Sequence, residues 1–197
     1  MLATPNTLAA TLLPRTATHV AGAVLAAIVG ALLLTLSAKV QVPFYPVPMT
    51  MQSFVVLGLG AALGARLGAA SVALYLAQGA LGLPVFAGTP EKDIGRAYMM
   101  GPTGGYLAGF LLAAYVIGLL AERGWDRSHL KLFAAMALGH AIIFLAGYVW
   151  LAGLIGWEKA WLSGVLPFGW ATLFKTALAA ALLPAIWRVI GSRPRSA

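Results

Sequence analysis

The sequence predicts an all-α integral membrane protein, and three observations carry that prediction. Hydrophobic residues make up 61% of the 197 positions and charged residues only 9%, where a soluble domain carries about 25% charge. The apolar residues fall into six runs between charges: 20–38, 40–65, 67–90, 97–121, 132–157 and 160–187, the last interrupted only by Lys175. Runs of this size approach the ~20 residues that a helix needs to cross a bilayer at ~1.5 Å per residue. Bases outnumber acids thirteen to five, and they are spread unevenly among the links. These numbers exclude a soluble globule, a disordered chain, a collagen and a coiled coil. The absence of Cys excludes a disulfide framework, thiol catalysis and Cys-based metal sites. No basic run exceeds the interrupted Arg193-Pro194-Arg195, so the positive charge reads as an orientation signal rather than a nucleic-acid surface.

The first run carries Ala23, Ala27 and Ala31 at four-residue spacing. Small residues on one stripe let another backbone approach closely, either a partner's or a neighbouring helix of the same chain. Ser37-Ala38 before Lys39 has the look of a signal cleavage site. Only Arg15 precedes the run, however, and its apolar length exceeds the usual ~7–15 residues, so an uncleaved first helix is expected. In the second run, Pro43, Pro46 and Pro48 forbid a regular helix. Its helical part is expected at 51–65, with irregular backbone over 40–49. The third run places Tyr75 and Gln78 on one face, three residues apart, as interhelical hydrogen-bonding groups or ligand contacts.

The fourth run opens with Gly101-Pro102-Thr103-Gly104-Gly105-Tyr106. This is not a phosphate loop, since it lacks the spacing and the Lys-Ser or Lys-Thr that follows one. The fifth run contains His140, where a structural hydrogen bond is the expected use. The sixth contains Lys175, the one charge well inside a span. An isolated ammonium there costs roughly 2.5–3.5 kcal/mol on insertion scales, so it is expected to face an interior cavity rather than snorkel to the interface.

With the N-terminus inside, Arg15, Arg66, Arg123, Arg127, Lys131, Arg188, Arg193 and Arg195 lie in the cytoplasm, against Lys39, Lys92, Arg96 and Lys159 outside. Eight against four predicts both termini inside. The organisation is then a cytoplasmic segment over 1–18, a six-helix membrane domain over 19–190 and a basic cytoplasmic tail over 191–197. Two Pro- and Gly-rich segments with aromatics, 39–51 and 83–100, fall together on the outer side, where they are expected to roof a pocket. Enzymatic readings fail. The acids sit near loops without a His at metal-ligand spacing, and Ser163 has no later His to serve as its base.

The segments Pro48-Met49-Thr50-Met51-Gln52, Tyr75-Leu76, Gly82-Leu83-Pro84-Val85-Phe86-Ala87-Gly88, Gly101-Pro102-Thr103-Gly104-Gly105-Tyr106, Pro167-Phe168 and Lys175 together resemble the BioY family. Its members are biotin-binding S components of energy-coupling factor (ECF) transporters. The likeness covers roughly residues 20–190. It implies an S-component-like bundle of six helices with both termini cytoplasmic, in a prokaryotic cell membrane, and a biotin site near the outer face. No cofactor is implied. Phe86, Tyr106 and Phe168 would pack on the bicyclic ring. Lys175, Thr172 and an amide, Gln52 or Gln78, would meet the ureido group, with Tyr75 nearby, and Arg96 would meet the carboxylate. Thr172 stands where the family commonly has Asp, so one hydrogen-bond acceptor is neutral here. The resemblance also assigns Ala23, Ala27 and Ala31 to docking on a transmembrane coupling subunit. ATPase subunits would supply the energy, or a homo-oligomer would act alone. An S component for another small vitamin and a non-transporting membrane scaffold are the alternatives that the residues leave open.

Overall fold

The computed structural model describes residues 7–8, 20–43, 45–91 and 93–191. The segment 1–18 apart from Thr7 and Leu8 lies outside the described residues, as do Lys92 and the tail beyond Gly191, and with them Arg15, Arg193 and Arg195. The described chain is predominantly helical: α1 (Val20–Lys39), α2 (Gln52–Leu63), α3 (Ala65–Ala80), α4 (Arg96–Met100), α5 (Gly104–Glu122), α6 (His129–Ile155), α7 (Trp157–Gly164) and α8 (Gly169–Gly191). A two-stranded antiparallel ribbon, β1 (Gln41–Val42) and β2 (Met49–Thr50), interrupts the helices, with Gln41 opposite Thr50.

Among the described residues, four helical stretches are long and apolar enough to cross a membrane: α1, α5, α6 and the stretch from Trp157 to Ile186. Among the described residues, α2, at 12 residues, α3, at 16, and α4, at five, fall short of a crossing length. The boundaries differ from the apolar runs for local reasons. The three prolines push the second helix to Gln52 as expected, and Gly64, at φ +85°, separates it from α3. The third helix stops at Ala80 rather than running on to 90, because Gly82 takes φ +94° and Pro84 follows. Gly101-Pro102 splits the fourth run into α4 and α5, and Pro167 sits in the 3-10 turn Leu166–Phe168 that separates α7 from α8.

Close backbone approach sets the packing. Gly60 of α2 lies against the Ala114 carbonyl of α5, and Gly118 of α5 lies against Ala65 and Gly64. Glu122 then accepts a hydrogen bond from the Ala65 N–H at 2.9 Å, which satisfies an orphan donor at the start of α3. Arg66 is therefore at the same end as Glu122 and Arg123. Nearby in the fold, His129 bonds the Ala180 carbonyl and Arg188. His140 links α6 to α8 through Thr176, with its Nδ1 also at the Met136 carbonyl, the structural role expected of it. The outward faces are apolar, with Leu25, Leu32, Leu36, Leu145 and Phe174 among the exposed side chains. Such a surface is stable only against lipid or another apolar surface.

Helix α1 packs mainly on α3. Gly30 is the point of contact, and a Cβ there would meet Ser71 at 2.5 Å. This placement turns the alanine stripe. Ala31 is fully buried and Ala23 nearly so, while Ala27 is half-buried. The expectation of an external stripe therefore keeps one of its three members at the surface. Small residues served the contact within the chain.

Candidate functional site

At the end of the bundle away from Glu122 and His129, the β1–β2 ribbon and the loop after α3 cover a cavity with about 560 Å³ of atom-free space, part of it open to the exterior. Small-molecule sites combine apolar walls with a few polar groups, and this one does the same. Val47, Pro48 and Thr50 come from the ribbon, Gln52 and Ser53 from the first turn of α2, Ala87 from the loop and Tyr98 from α4. Tyr106, Leu107 and Phe110 of α5 and Ile143 and Phe144 of α6 form the apolar wall, and Phe168, Thr172 and Lys175 close it from the α8 side. The two irregular segments expected to roof a pocket both contribute to it.

Lys175 is 6% exposed. Its Nζ donates to the Thr50 carbonyl at 2.7 Å and to Ser53 Oγ at 3.3 Å. The ammonium therefore turns inward and does not snorkel. Thr172, one helical turn earlier, shares its face. Gln52 Nε2 donates to the Tyr75 hydroxyl at 2.7 Å, and that hydroxyl donates to the Val85 carbonyl at 3.3 Å. Polar groups from α2, α8 and the ribbon thus gather at one end. The remaining wall is aromatic: Tyr106 stands edge-on to Phe144, with centroids 6.3 Å apart, and Phe144 is tilted against Phe168 at 5.9 Å. The Tyr106 hydroxyl donates to the Gly164 carbonyl at 2.8 Å, so its ring is held rigidly. Burial raises the pKa of the Tyr98 phenol, which a hydrogen bond to Thr103 partly offsets; it remains a neutral hydroxyl at the rim.

Of the residues singled out from the sequence, Lys175, Gln52, Thr172, Tyr106 and Phe168 line one cavity. Tyr75, Phe86, Gln78 and Arg96 do not. Tyr75 is fully buried one layer back, behind Gln52. Phe86, expected on the ring of a ligand, lies behind Tyr98 instead, stacked on it with centroids 4.9 Å apart. The reason is Gly79: its missing side chain leaves a slot for the Phe86 ring, and a Cβ there would sit 2.0 Å from Phe86 Cζ. Gln78 is half-buried outside the lining. Arg96 is exposed at the start of α4, two residues from Tyr98. Phe144, Phe110 and Ser53 are lining residues that sequence reasoning missed. The two phenylalanines sit in uniformly apolar runs, and Ser53 carries only its adjacency to Gln52 as a signal.

The sequence matches the model of the BioY family over residues 9–192. It is 40% identical over 151 residues to the biotin transporter BioY of Thermotoga maritima, covering 76% of this chain and 86% of the relative. It is 34% identical over 170 residues to the biotin transporter BioY of Rhizobium etli, covering 81% and 89%. The structure superposes on a crystal structure of the S-component for biotin from an ECF-type ABC transporter with a TM-score of 0.75, over 89% of this chain and 95% of that one. Identity to that chain is 22%, so this likeness speaks for the fold.

Proposed function

The chain belongs to the BioY family, and from that premise we propose that it binds biotin with high affinity and serves its uptake across the cytoplasmic membrane of a prokaryotic cell as the substrate-specificity subunit of an ECF-type transporter. It is a binding subunit of a transport system and not an enzyme; ATP hydrolysis belongs to separate subunits. The observation that carries this reading is the division of the cavity. A slot between Tyr106, Phe144 and Phe168 suits a compact apolar bicycle, and Lys175, Thr172 and Gln52 stand together at its polar end. Each of these can complete a hydrogen bond that burial of a ureido group would otherwise leave unmade. Arg96 reaches the carboxylate from the rim of α4, with the paired donors that a guanidinium offers. Tyr75 and Phe86 support the wall from behind, and Gln78 has no part in the site.

The proposed topology is six crossings with both termini cytoplasmic, the short α2 and α3 included. Its support is charge. Arg66, Arg123, Arg127 and Arg188 lie toward the end opposite the cavity, around Glu122 and His129, as the excess of bases on the inner side requires. Purified protein is expected to retain labelled biotin, and a Tyr45→Cys variant is expected to react from outside with an impermeant thiol reagent, protected by biotin. No retention of biotin would refute the function. Reaction only from the cytoplasmic side would refute the topology.

The coupling subunit is proposed to meet the outer face of α1 at Ala27, the half-buried member of the alanine stripe. An Ala27→Trp variant is expected to bind biotin as wild type does while ATP-dependent uptake, with coupling and ATPase subunits present, falls about tenfold or more, as when a bulky residue blocks close helix approach. Equal losses in binding and uptake would make this position internal packing. If the protein works as a solitary homo-oligomer, uptake without those subunits remains and is lost in the same variant.

A further inference from the structure

We propose that Lys39 is a positioning residue for the cavity, a clamp that ties the end of α1 to the loop forming the cavity's wall. Lys39 is the last residue of α1 and, as a residue, is exposed. Its ammonium leaves the helix and donates to the carbonyl of Phe86 at 3.0 Å, the carbonyl of Thr89 at 3.0 Å and Thr89 Oγ1 at 3.2 Å. An ammonium has three donors, and three acceptors from one four-residue stretch of loop take them. The acceptors are neutral, so this is no surface ion pair; the contacts are charge-assisted hydrogen bonds, stronger than neutral ones. Thr89 Oγ1 donates in turn to the Phe86 carbonyl at 2.7 Å, which closes the stretch on itself.

What the clamp holds is the back of the binding wall. Ala87, between the two clamped residues, lines the cavity. The Phe86 ring fills the slot at Gly79, stands edge-on to Tyr75 at 5.4 Å and stacks under cavity-lining Tyr98. One residue earlier, the Val85 carbonyl receives the Tyr75 hydroxyl, which is bonded to Gln52 at the cavity's polar end. The loop otherwise has few main-chain ties: Leu83 to Gln78, Val85 to Leu83 and Thr89 to Phe86. Loss of the ammonium would free a segment carrying one lining residue and supporting two others. Because α1 turns an apolar face outward, with Val24, Ile28 and Leu32 exposed, anything that shifts the end of α1 also pulls on this wall.

The test has one arm that needs no ligand and one that rests on the biotin reading. Hydrogen exchange of wild type, Lys39→Met and Lys39→Arg is compared in detergent, with α5 and α6 as the reference for the global fold. In Lys39→Met, amides of residues 83–90 are expected to exchange about tenfold faster with α5 and α6 unchanged, and biotin to dissociate about tenfold faster with its association rate within about twofold, as the loss of a charge-assisted contact implies. In Lys39→Arg, whose guanidinium also offers several donors, both rates return most of the way to wild type. Unchanged exchange at 83–90, an equal rise throughout α5 and α6, an Arg variant as fast as the Met variant, or a slowing of association alone would each overturn the clamp. If wild type binds no biotin, the transport reading fails while the exchange arm still decides the clamp.

Discussion

Replacing Lys175 with Ala is expected to lower biotin affinity by about a hundredfold, within the range that truncating a buried, hydrogen-bonded cation produces. The side chain is 6% exposed and reaches Thr50 and Ser53 across the cavity's polar end. Its removal takes a donor from the ligand and from the ribbon that covers it. Equilibrium binding of labelled biotin to purified protein measures the loss, and an affinity within a few-fold of wild type would remove Lys175 from the site. Comparing biotin with an uncharged biotin amide then fixes the ligand's direction. With the ureido group at Lys175 and the carboxylate at Arg96, wild type prefers the acid. Arg96→Ala erases that preference, and Lys175→Ala weakens both ligands alike. Should Lys175→Ala erase the preference instead, the carboxylate lies at the buried end.

The second large effect is on stability. A Gly118→Val substitution is expected to destabilise the protein by about 3 kcal/mol, the upper part of the usual overpacking range. A Cβ at this position would lie 2.2 Å from the nitrogen of Ala65, 2.3 Å from its Cα and 2.5 Å from the Gly64 carbonyl carbon. These are backbone atoms, which cannot swing aside as a side chain can. Separation there would also strain the Ala65 N–H to Glu122 hydrogen bond. Gly153→Val on α6 is the control, because a Cβ at Gly153 meets nothing within 4 Å. Thermal denaturation in detergent should show a large fall for the first and little change for the second. Equal shifts would mean that helix propensity, not the contact of α5 with the α2–α3 junction, sets the cost.

Of the residues placed in the proposed binding site, all but Phe144 are legible in the sequence, the buried cation because a charge in an apolar run must have a reason to be there. Lys175 is conspicuous as the lone cation of its span, whereas Gln52 and Thr172 become ligand contacts only through the family resemblance. Tyr106 and Phe168 stood out through the Gly- and Pro-rich segments that precede them. Phe144 and Phe110 had no such mark. Phe86 misled, since its motif announced importance without saying whether the ring faced a ligand or a glycine. Arg96 is marked by its outer loop alone, and the structure leaves it outside the lining.

By itself the sequence determined that this is a helical membrane protein, roughly where its apolar helices run, and that prolines and glycines break them into a covered pocket. These follow from composition, from the length of hydrocarbon to be crossed and from local backbone chemistry, none of which requires knowing a neighbour. Only the tertiary structure decided which face of each helix turns inward. In water an amphipathic stripe announces that face, but lipid is as apolar as a protein core, and Leu34 inside α1 is chemically the same as Leu36 outside it. The inward faces were selected instead by shape, where Gly30, Gly60 and Gly118 let backbones meet, and by the few polar groups that had to find partners. That selection buried Ala31 in the core, set Phe86 behind the wall and brought Phe144 to the cavity.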